Sequence, residues 1–265
     1  MTPEVTPIAV SPPLSASPGQ VMMEARDIVK ELGHGAGKVR ALKGVSIDLP
    51  PGQLTLLMGP SGSGKTTLLS ILGCILTPTS GSVTLAGHVT DGLDPEQLAH
   101  LRRRHIGFVF QTYNLFPTLT AEENVRLALD VRGEARKPAI QMARSALTSV
   151  GLSHKLKSYP RNMSGGEQQR VAIARALAGS PSLIFADEPT AALDGENGQA
   201  VMGLLADIAR RENRAVLAVT HDPRTLPFAD RIVRIEDGLI VGEKRQRPKH
   251  SVSGGEPSRK IRANA

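Results

Sequence analysis

The stretch Leu54-Thr55-Leu56-Leu57-Met58-Gly59-Pro60-Ser61-Gly62-Ser63-Gly64-Lys65-Thr66-Thr67-Leu68-Leu69-Ser70-Ile71-Leu72 decides the fold. Its apolar start is continuous rather than alternating, as in a strand covered on both faces. The glycines that follow let backbone N–H groups close around an anion, and a helical run from Thr67 to Leu72 follows directly. A helix N-terminus favours negative charge, Lys65 is placed to reach β- and γ-phosphates, and the Thr66 hydroxyl is placed to ligate Mg²⁺. Strand, glycine loop, Lys-Thr and helix in that order make a phosphate loop from Gly59, Pro60, Ser61, Gly62, Ser63, Gly64, Lys65 and Thr66, with Thr67 beside it.

Strand-like apolar runs recur outward from this point at Leu42–Ile47, Ile106–Phe110, Leu183–Ala186, Ala215–Val219 and Ile232–Ile235. Helical spacing separates them: Ile140, Ala143, Leu147 and Val150 step by three and four, as do Val201, Leu204, Leu205 and Ile208. Strands alternating with helices predict an α/β fold with a mostly parallel sheet and right-handed crossovers. The segment of about 111–160 reads as helices and loops, an inserted helical subdomain. There is no internal repeat, so one unit is expected over residues 21–242. One further run, Ser182-Leu183-Ile184-Phe185-Ala186-Asp187-Glu188, is a buried strand ending in two carboxylates. Such a strand delivers them to the carboxyl edge of a parallel sheet, where ligands bind. Asp187 is placed to hold the metal shell and Glu188 to polarise an attacking water.

The third constellation is Asn162-Met163-Ser164-Gly165-Gly166-Glu167-Gln168-Gln169-Arg170-Val171-Ala172-Ile173-Ala174-Arg175-Ala176-Leu177. Ser164 and two glycines at a helix start expose N–H donors and a positive dipole end, a second anion site. The plain local reading is a capping box, Ser164 with Glu167 three residues on. Together with the phosphate loop and Asp187-Glu188, this stretch closely resembles the signature sequence of ATP-binding cassette (ABC) ATPases. The resemblance spans roughly Val21 to Val241.

It implies a P-loop NTPase of ABC type with an antiparallel β edge, binding ATP and Mg²⁺, hydrolysing ATP to ADP and phosphate, and working as a cassette dimer. Ser164, Gly165, Gly166 and Glu167 of one subunit would face nucleotide held by the other. Gln111 resembles the glutamine that senses Mg²⁺ and the lytic water and relays to a membrane partner, so the implied metal set is Thr66, Gln111 and Asp187. Asp194, in Ala191-Ala192-Leu193-Asp194, is similar to the aspartate that communicates across the dimer. His221 resembles the switch histidine on the γ-phosphate, which completes a catalytic set of Glu188, His221 and Gln111. One position departs: where the family usually places an adenine-stacking aromatic, this chain has Leu32, with His34 the nearest substitute ring. Aromatic stacking contributes about 1 to 3 kcal/mol per base, so weaker nucleotide affinity or base selectivity is expected.

Within the family, Ile106-Gly107-Phe108-Val109-Phe110-Gln111-Thr112-Tyr113-Asn114-Leu115-Phe116 and Leu119-Thr120-Ala121-Glu122-Glu123-Asn124-Val125 resemble the ATPases of lipoprotein-release, macrolide-export and glycolipid-export systems. The implied function is to power export or extraction of a lipid-like, peptide or drug-like substrate through an integral membrane permease, with a periplasmic adaptor as an optional further partner. The alternative is a mechanotransmitting ATPase that regulates cell-wall or cell-division enzymes and transports nothing. Docking of the partner is expected beside Gln111, at Tyr113, Leu115 and Phe116; the alternative is that Tyr113 and Phe116 close the helical subdomain against the sheet. A chromosome-organising ATPase is disfavoured, because no sustained heptads lie between Lys65 and Ser164.

Composition narrows the setting. No apolar run reaches the roughly 18 residues of a membrane span, and the Pro- and Ser-rich first twenty residues lack the basic start and apolar centre of a secretory signal. A peripheral protein on the cytoplasmic side of the inner membrane is expected, with loose tails at 1–20 and 243–265. The net charge of +7 sits mostly after Glu243, in Lys244, Arg245, Arg247, Lys249, Arg259, Lys260 and Arg262. The remaining body is nearly balanced, which removes the main reason to expect a nucleic-acid partner. The single cysteine, Cys74, lies in an apolar helical stretch and is expected to be a buried thiol.

Overall fold

The computed structural model describes residues 21–246, so the expectations for 1–20 and for 247–265 lie outside the described residues. In chain order the elements are β1 (Met23–Leu32), β2 (Val39–Leu49), β3 (Leu54–Met58), α1 (Lys65–Leu72), β4 (Ser80–Leu85), β5 (His88–Val89), α2 (Pro95–His105) and β6 (Ile106–Val109). Then come α3 (Ala121–Val131), α4 (Arg136–Ser149), α5 (Gly165–Leu177), β7 (Leu183–Asp187), α6 (Gly195–Arg211), β8 (Ala215–Val219), β9 (Arg231–Glu236) and β10 (Leu239–Arg245).

Two sheets form. The larger has the order β10-β9-β3-β8-β7-β6, and the smaller β2-β1-β4-β5. Every neighbouring pair of the larger sheet is parallel except β9–β10, and all three pairs of the smaller sheet are antiparallel. Side chains of β3, β7 and β8 are buried on both faces, which is why their sequences run apolar without alternation. On one face Leu57, Phe185 and Leu217 pack with Leu68 and Leu72 of α1 and with Met23, Ile28 and Val83 of the smaller sheet, so α1 lies between the two sheets. On the other face Leu56, Ala186 and Val216 pack with α3, α4, α5 and α6 through Val125, Leu147, Ile173 and Leu205.

The segment 111–160 contains α3 and α4 and no strand. Ala143, Leu147 and Val150 are buried as the helical spacing predicts, whereas Ala139 takes the buried place expected for Ile140, which is only half-buried. The C-terminal boundary differs from the sequence reading. β10 continues to Arg245, so Glu243, Lys244 and Arg245, grouped with the C-terminal tail, are strand residues. The reason is an ion-pair lattice: buried Arg231 donates to Glu243 Oε2 at 2.7 Å and to the Asp48 carboxylate at 3.4 Å, tying β10 to β9 and β2. The strands β4, β5 and β10 lie where the sequence reading named no strand. Cys74 is buried as expected, and burial pushes its thiol up to about 11.

Candidate nucleotide site

The parallel order places the carboxyl ends of β3, β8, β7 and β6 along one edge of the sheet. β8 is inserted between β3 and β7, so the residues after it sit between the phosphate loop and the two carboxylates. That edge opens into a cleft of about 740 Å³. Its lining includes Gly59, Pro60, Ser61, Gly62, Gly64, Lys65, Thr66 and Thr67 from the loop and α1, together with Gln111, Asp187, Glu188 and His221.

The loop is shaped by close approaches. A Cβ on Gly59 would sit 2.0 Å from the Ile235 carbonyl oxygen, so only glycine lets the loop leave β3 beside β9. Ser63 is buried rather than part of the lining, and its carbonyl accepts from Gly238 N–H at 3.1 Å. Lys65 folds over the loop and donates to the carbonyls of Gly59 and Pro60 at 2.8 and 2.7 Å. These are neutral acceptors that an anion can outcompete, which leaves the ammonium available to a phosphate.

Facing the loop, Asp187 ends β7 half-buried, and burial first and the neighbouring Glu188 second raise its carboxyl above the ordinary range, against Lys65. Glu188 adopts the left-handed region with φ 46 while its N–H donates to Val219 O at 2.9 Å. A non-glycine residue in that conformation costs on the order of 1 kcal/mol. The turn it makes brings Glu188 Oε1 to 2.8 Å from His221 Nδ1. A hydroxyl (Thr66), an amide (Gln111) and a carboxylate (Asp187) in one cleft are the oxygen donors that suit Mg²⁺.

The second constellation is placed elsewhere. Ser164 caps α5 in a full capping box with Glu167, at 3.2 and 2.9 Å. Asp194 caps α6, accepting from Asn197 N–H and Nδ2 at 2.9 and 2.8 Å. Neither these residues nor Gly165 and Gly166 line the cleft within one chain. Both helix starts nevertheless meet, since a Cβ on Gly166 would lie 2.5 Å from Asn197 Oδ1.

The lining also includes Leu32, Val39, Arg40 and Ala41, with Asp237 and Gly238. Leu32 is therefore the residue on the cleft wall, and His34 is not among its lining. The docking expectation divides. Phe116 is 51 % exposed, whereas Leu115 packs against the core and Tyr113 is half-buried with its hydroxyl donating to Ala192 O at 3.3 Å.

The family model described as "ABC transporter" matches residues 42–191. This chain belongs to that family. Among curated relatives, the macrolide export ATP-binding/permease protein MacB of Marinobacter nauticus is 44% identical over 220 residues, covering 83% of this chain and 34% of that protein. MacB of Escherichia coli K12 is 43% identical over 234 residues, 88% of this chain and 36% of that protein. The chain thus spans about a third of the length of the curated relatives it matches. Among solved structures, the ATP-binding cassette MJ0796, a dimer in a post-hydrolysis state bound to ADP and Pi, is 40% identical with a TM-score of 0.77, covering 85% of this chain and 99% of that one. The cbiO1 cassette of Clostridium perfringens is 25% identical with a TM-score of 0.76, covering 85% and 88%. The fold is that of an ABC ATPase cassette, with the phosphate loop, Gln111 and Glu188 inside the matched residues and His221 beyond them. Among the described residues no helix is long and apolar enough to cross a membrane.

The sequence reading missed four residues that organise this edge. Arg175 and Gln169 lie on α5, Asn124 on α3 and Asn197 on α6. Asn124 is fully buried; its Oδ1 accepts from Phe116 N–H at 2.8 Å and its Nδ2 donates to three carbonyls of the 116–120 loop at 3.0 to 3.1 Å. Asn124 and Gln169 are fully buried and Arg175 and Asn197 only partly so, and the one sequence signal of the first two is a polar residue on a helix face that otherwise buries aliphatics.

Proposed function

We propose that this chain binds Mg-ATP in the cleft and hydrolyses it to power export or extraction of a lipid-like, peptide or drug-like substrate through a separate membrane protein. The observation that carries the reading is the 2.8 Å contact between His221 Nδ1 and Glu188 Oε1, in the cleft that the phosphate loop also lines. In this reading the loop amides and Lys65 hold the phosphates, Glu188 orients and deprotonates the attacking water, and His221 keeps that carboxylate aligned and meets the γ-phosphate. Thr66, Gln111 and Asp187 would hold Mg²⁺, which supplies charge neutralisation at the transferring phosphoryl group.

A second copy completes the site. The first turn of α5 is an anion-binding helix start outside the cleft of its own chain, and Ser164, Gly165 and Gly166 would face nucleotide on the partner subunit, with Asp194 at the seam. The dimeric state of the MJ0796 cassette supports this arrangement. The membrane partner docks at Phe116, an exposed aromatic whose backbone N–H and C=O are both tied to Asn124. ATP-binding and permease parts share one chain in the MacB relatives by name, which supports a permease as that partner. The protein then works peripherally on the cytoplasmic face of the membrane.

Reconstituting the chain with its membrane partner in vesicles tests the reading. ATP-driven loss of a lipid-like, peptide or drug-like cargo, absent in Glu188→Gln, is expected. Hydrolysis that proceeds with every such cargo class left in place would overturn the transport claim.

A further inference from the structure

Gln111 is followed by an unusual turn. Tyr113 and Asn114 both adopt left-handed backbone, with φ 58 and 50. Asparagine enters that region readily, but tyrosine does so only where surroundings impose it. The turn closes locally, with Tyr113 N–H donating to Phe110 O at 3.3 Å and Asn114 N–H to Thr112 O at 2.5 Å. It presents the carbonyls of Tyr113 and Asn114 side by side, and a single guanidinium takes both: Arg175 Nη2 donates to Tyr113 O at 2.8 Å, and Nη1 to Asn114 O.

Arg175 belongs to the last turn of α5, the helix whose first turn carries Ser164 and the two glycines. Its side chain pairs with no carboxylate among the described residues, and burial holds the guanidinium below its usual range. A cation desolvated without a counter-charge is held there for the geometry of its donors. Tyr113 reaches onward. Its hydroxyl donates to Ala192 O, two residues before Asp194, and lies so near α5 that a Cβ on Gly165 would be 2.9 Å from it. One residue thus touches the end of α5, the start of α5 and the loop into α6, two positions after the cleft residue Gln111.

We propose that Arg175 is a positioning residue for hydrolysis, clamping the Tyr113-Asn114 turn so that Gln111, the Ser164 helix start and the Asp194 loop move as one body. The clamp rests on the functional reading above, since it acts through Gln111 on the attacking water and metal. It makes Tyr113 an internal strut and leaves Phe116 as the outward residue of the same segment. A lysine at 175 keeps the charge and loses the two-pronged grip.

The test uses the full chain and measures kcat and KM for Mg-ATP in Arg175→Met and Arg175→Lys, each with Gln111 and with Gln111→Ala. A displaced water-positioning group should lower kcat roughly 10- to 100-fold, without rescue by lysine, while KM stays within about twofold. In the Gln111→Ala background the Arg175 substitutions should cost no more than about a further twofold, because residues acting as one unit are not additive. Full multiplicative loss in the double variant, or a wild-type kcat in Arg175→Lys, would overturn the clamp. Amide hydrogen exchange of residues 110–116 in the nucleotide-free chain gives a second readout, independent of turnover. Faster exchange in Arg175→Lys supports the clamp, and unchanged exchange refutes it. A wild-type chain with no ATPase activity would sink the functional reading instead, with the exchange result still deciding the contact.

Discussion

Replacing Gly59 with alanine places a methyl group 2.0 Å from the Ile235 carbonyl oxygen and 2.9 Å from Ser63 Oγ. Even the shortest Cβ contacts lie near 3.0 Å, so loop and β9 must separate by about 1 Å. The obstacle is backbone, and it cannot rotate away as a side chain would. Overpacking of this kind costs about 1 to 3 kcal/mol, a melting-temperature drop of roughly 2 to 12 °C for a domain of this size. The same shift carries backbone donors away from the phosphates. Losing one charge-assisted hydrogen bond of about 1.5 to 3 kcal/mol weakens ATP binding by roughly 10- to 150-fold. Gly242 provides the control, because a Cβ there meets nothing within 4 Å and the residue carries no positive φ. Gly242→Ala should be neutral or stabilising by about 0.4 to 1 kcal/mol. Thermal melts and titration with a fluorescent ATP analogue measure both. A Gly59→Ala chain that binds and melts like Gly242→Ala would refute the account of the loop.

Glu188→Gln should retain ATP binding and lose roughly 10² to 10⁴ in turnover, accumulating as a nucleotide-bound dimer; turnover near the wild-type rate would remove Glu188 from the role of base. Asp187 has a folded-state carboxyl raised above its unfolded value, so its ionisation destabilises the nucleotide-free fold once pH rises through the ordinary carboxylate range and above the folded value. Asp187→Asn should therefore melt higher than the wild type at neutral pH without Mg-ATP, with the advantage vanishing as pH falls below the unfolded value of 3.8; an equal melting temperature at neutral pH would contradict the burial argument. Leu32→Tyr should tighten nucleotide binding by about 1 to 3 kcal/mol, read by the same titration with ATP, and a variant that binds no tighter would show that the base lies away from Leu32.

What could be read from the residues follows from where the physical signal was local. Doubly buried strands announce themselves as unbroken apolar runs, and β3, β7 and β8 were placed to within a residue. β4 was missed because Ser80-Gly81-Ser82 opens it, with Gly81 at φ +96 against the bulged β1. β10 was not named as a strand, and its end was assigned to the tail, because Glu243 and Arg245 look like tail charges until Arg231 is seen beneath them. At the site, the loop and carboxylates were legible because phosphate chemistry demands those residue types in order. The inward turn of Tyr113 and the reach of Arg175 were not, since both depend on left-handed backbone at non-glycine positions, which no periodicity records.

The central claim is that catalysis is shared, with the phosphate loop of one chain closed by the Ser164 helix start of another. Mixing Lys65→Ala chains with Ser164→Arg chains tests it directly. Each variant alone should be inactive, and an equimolar mixture should regain about a quarter of the wild-type rate, because half of the dimers then contain one intact composite site out of two. ATPase activity near the wild-type rate from either variant alone, or a mixture no more active than its separate components, would contradict the account.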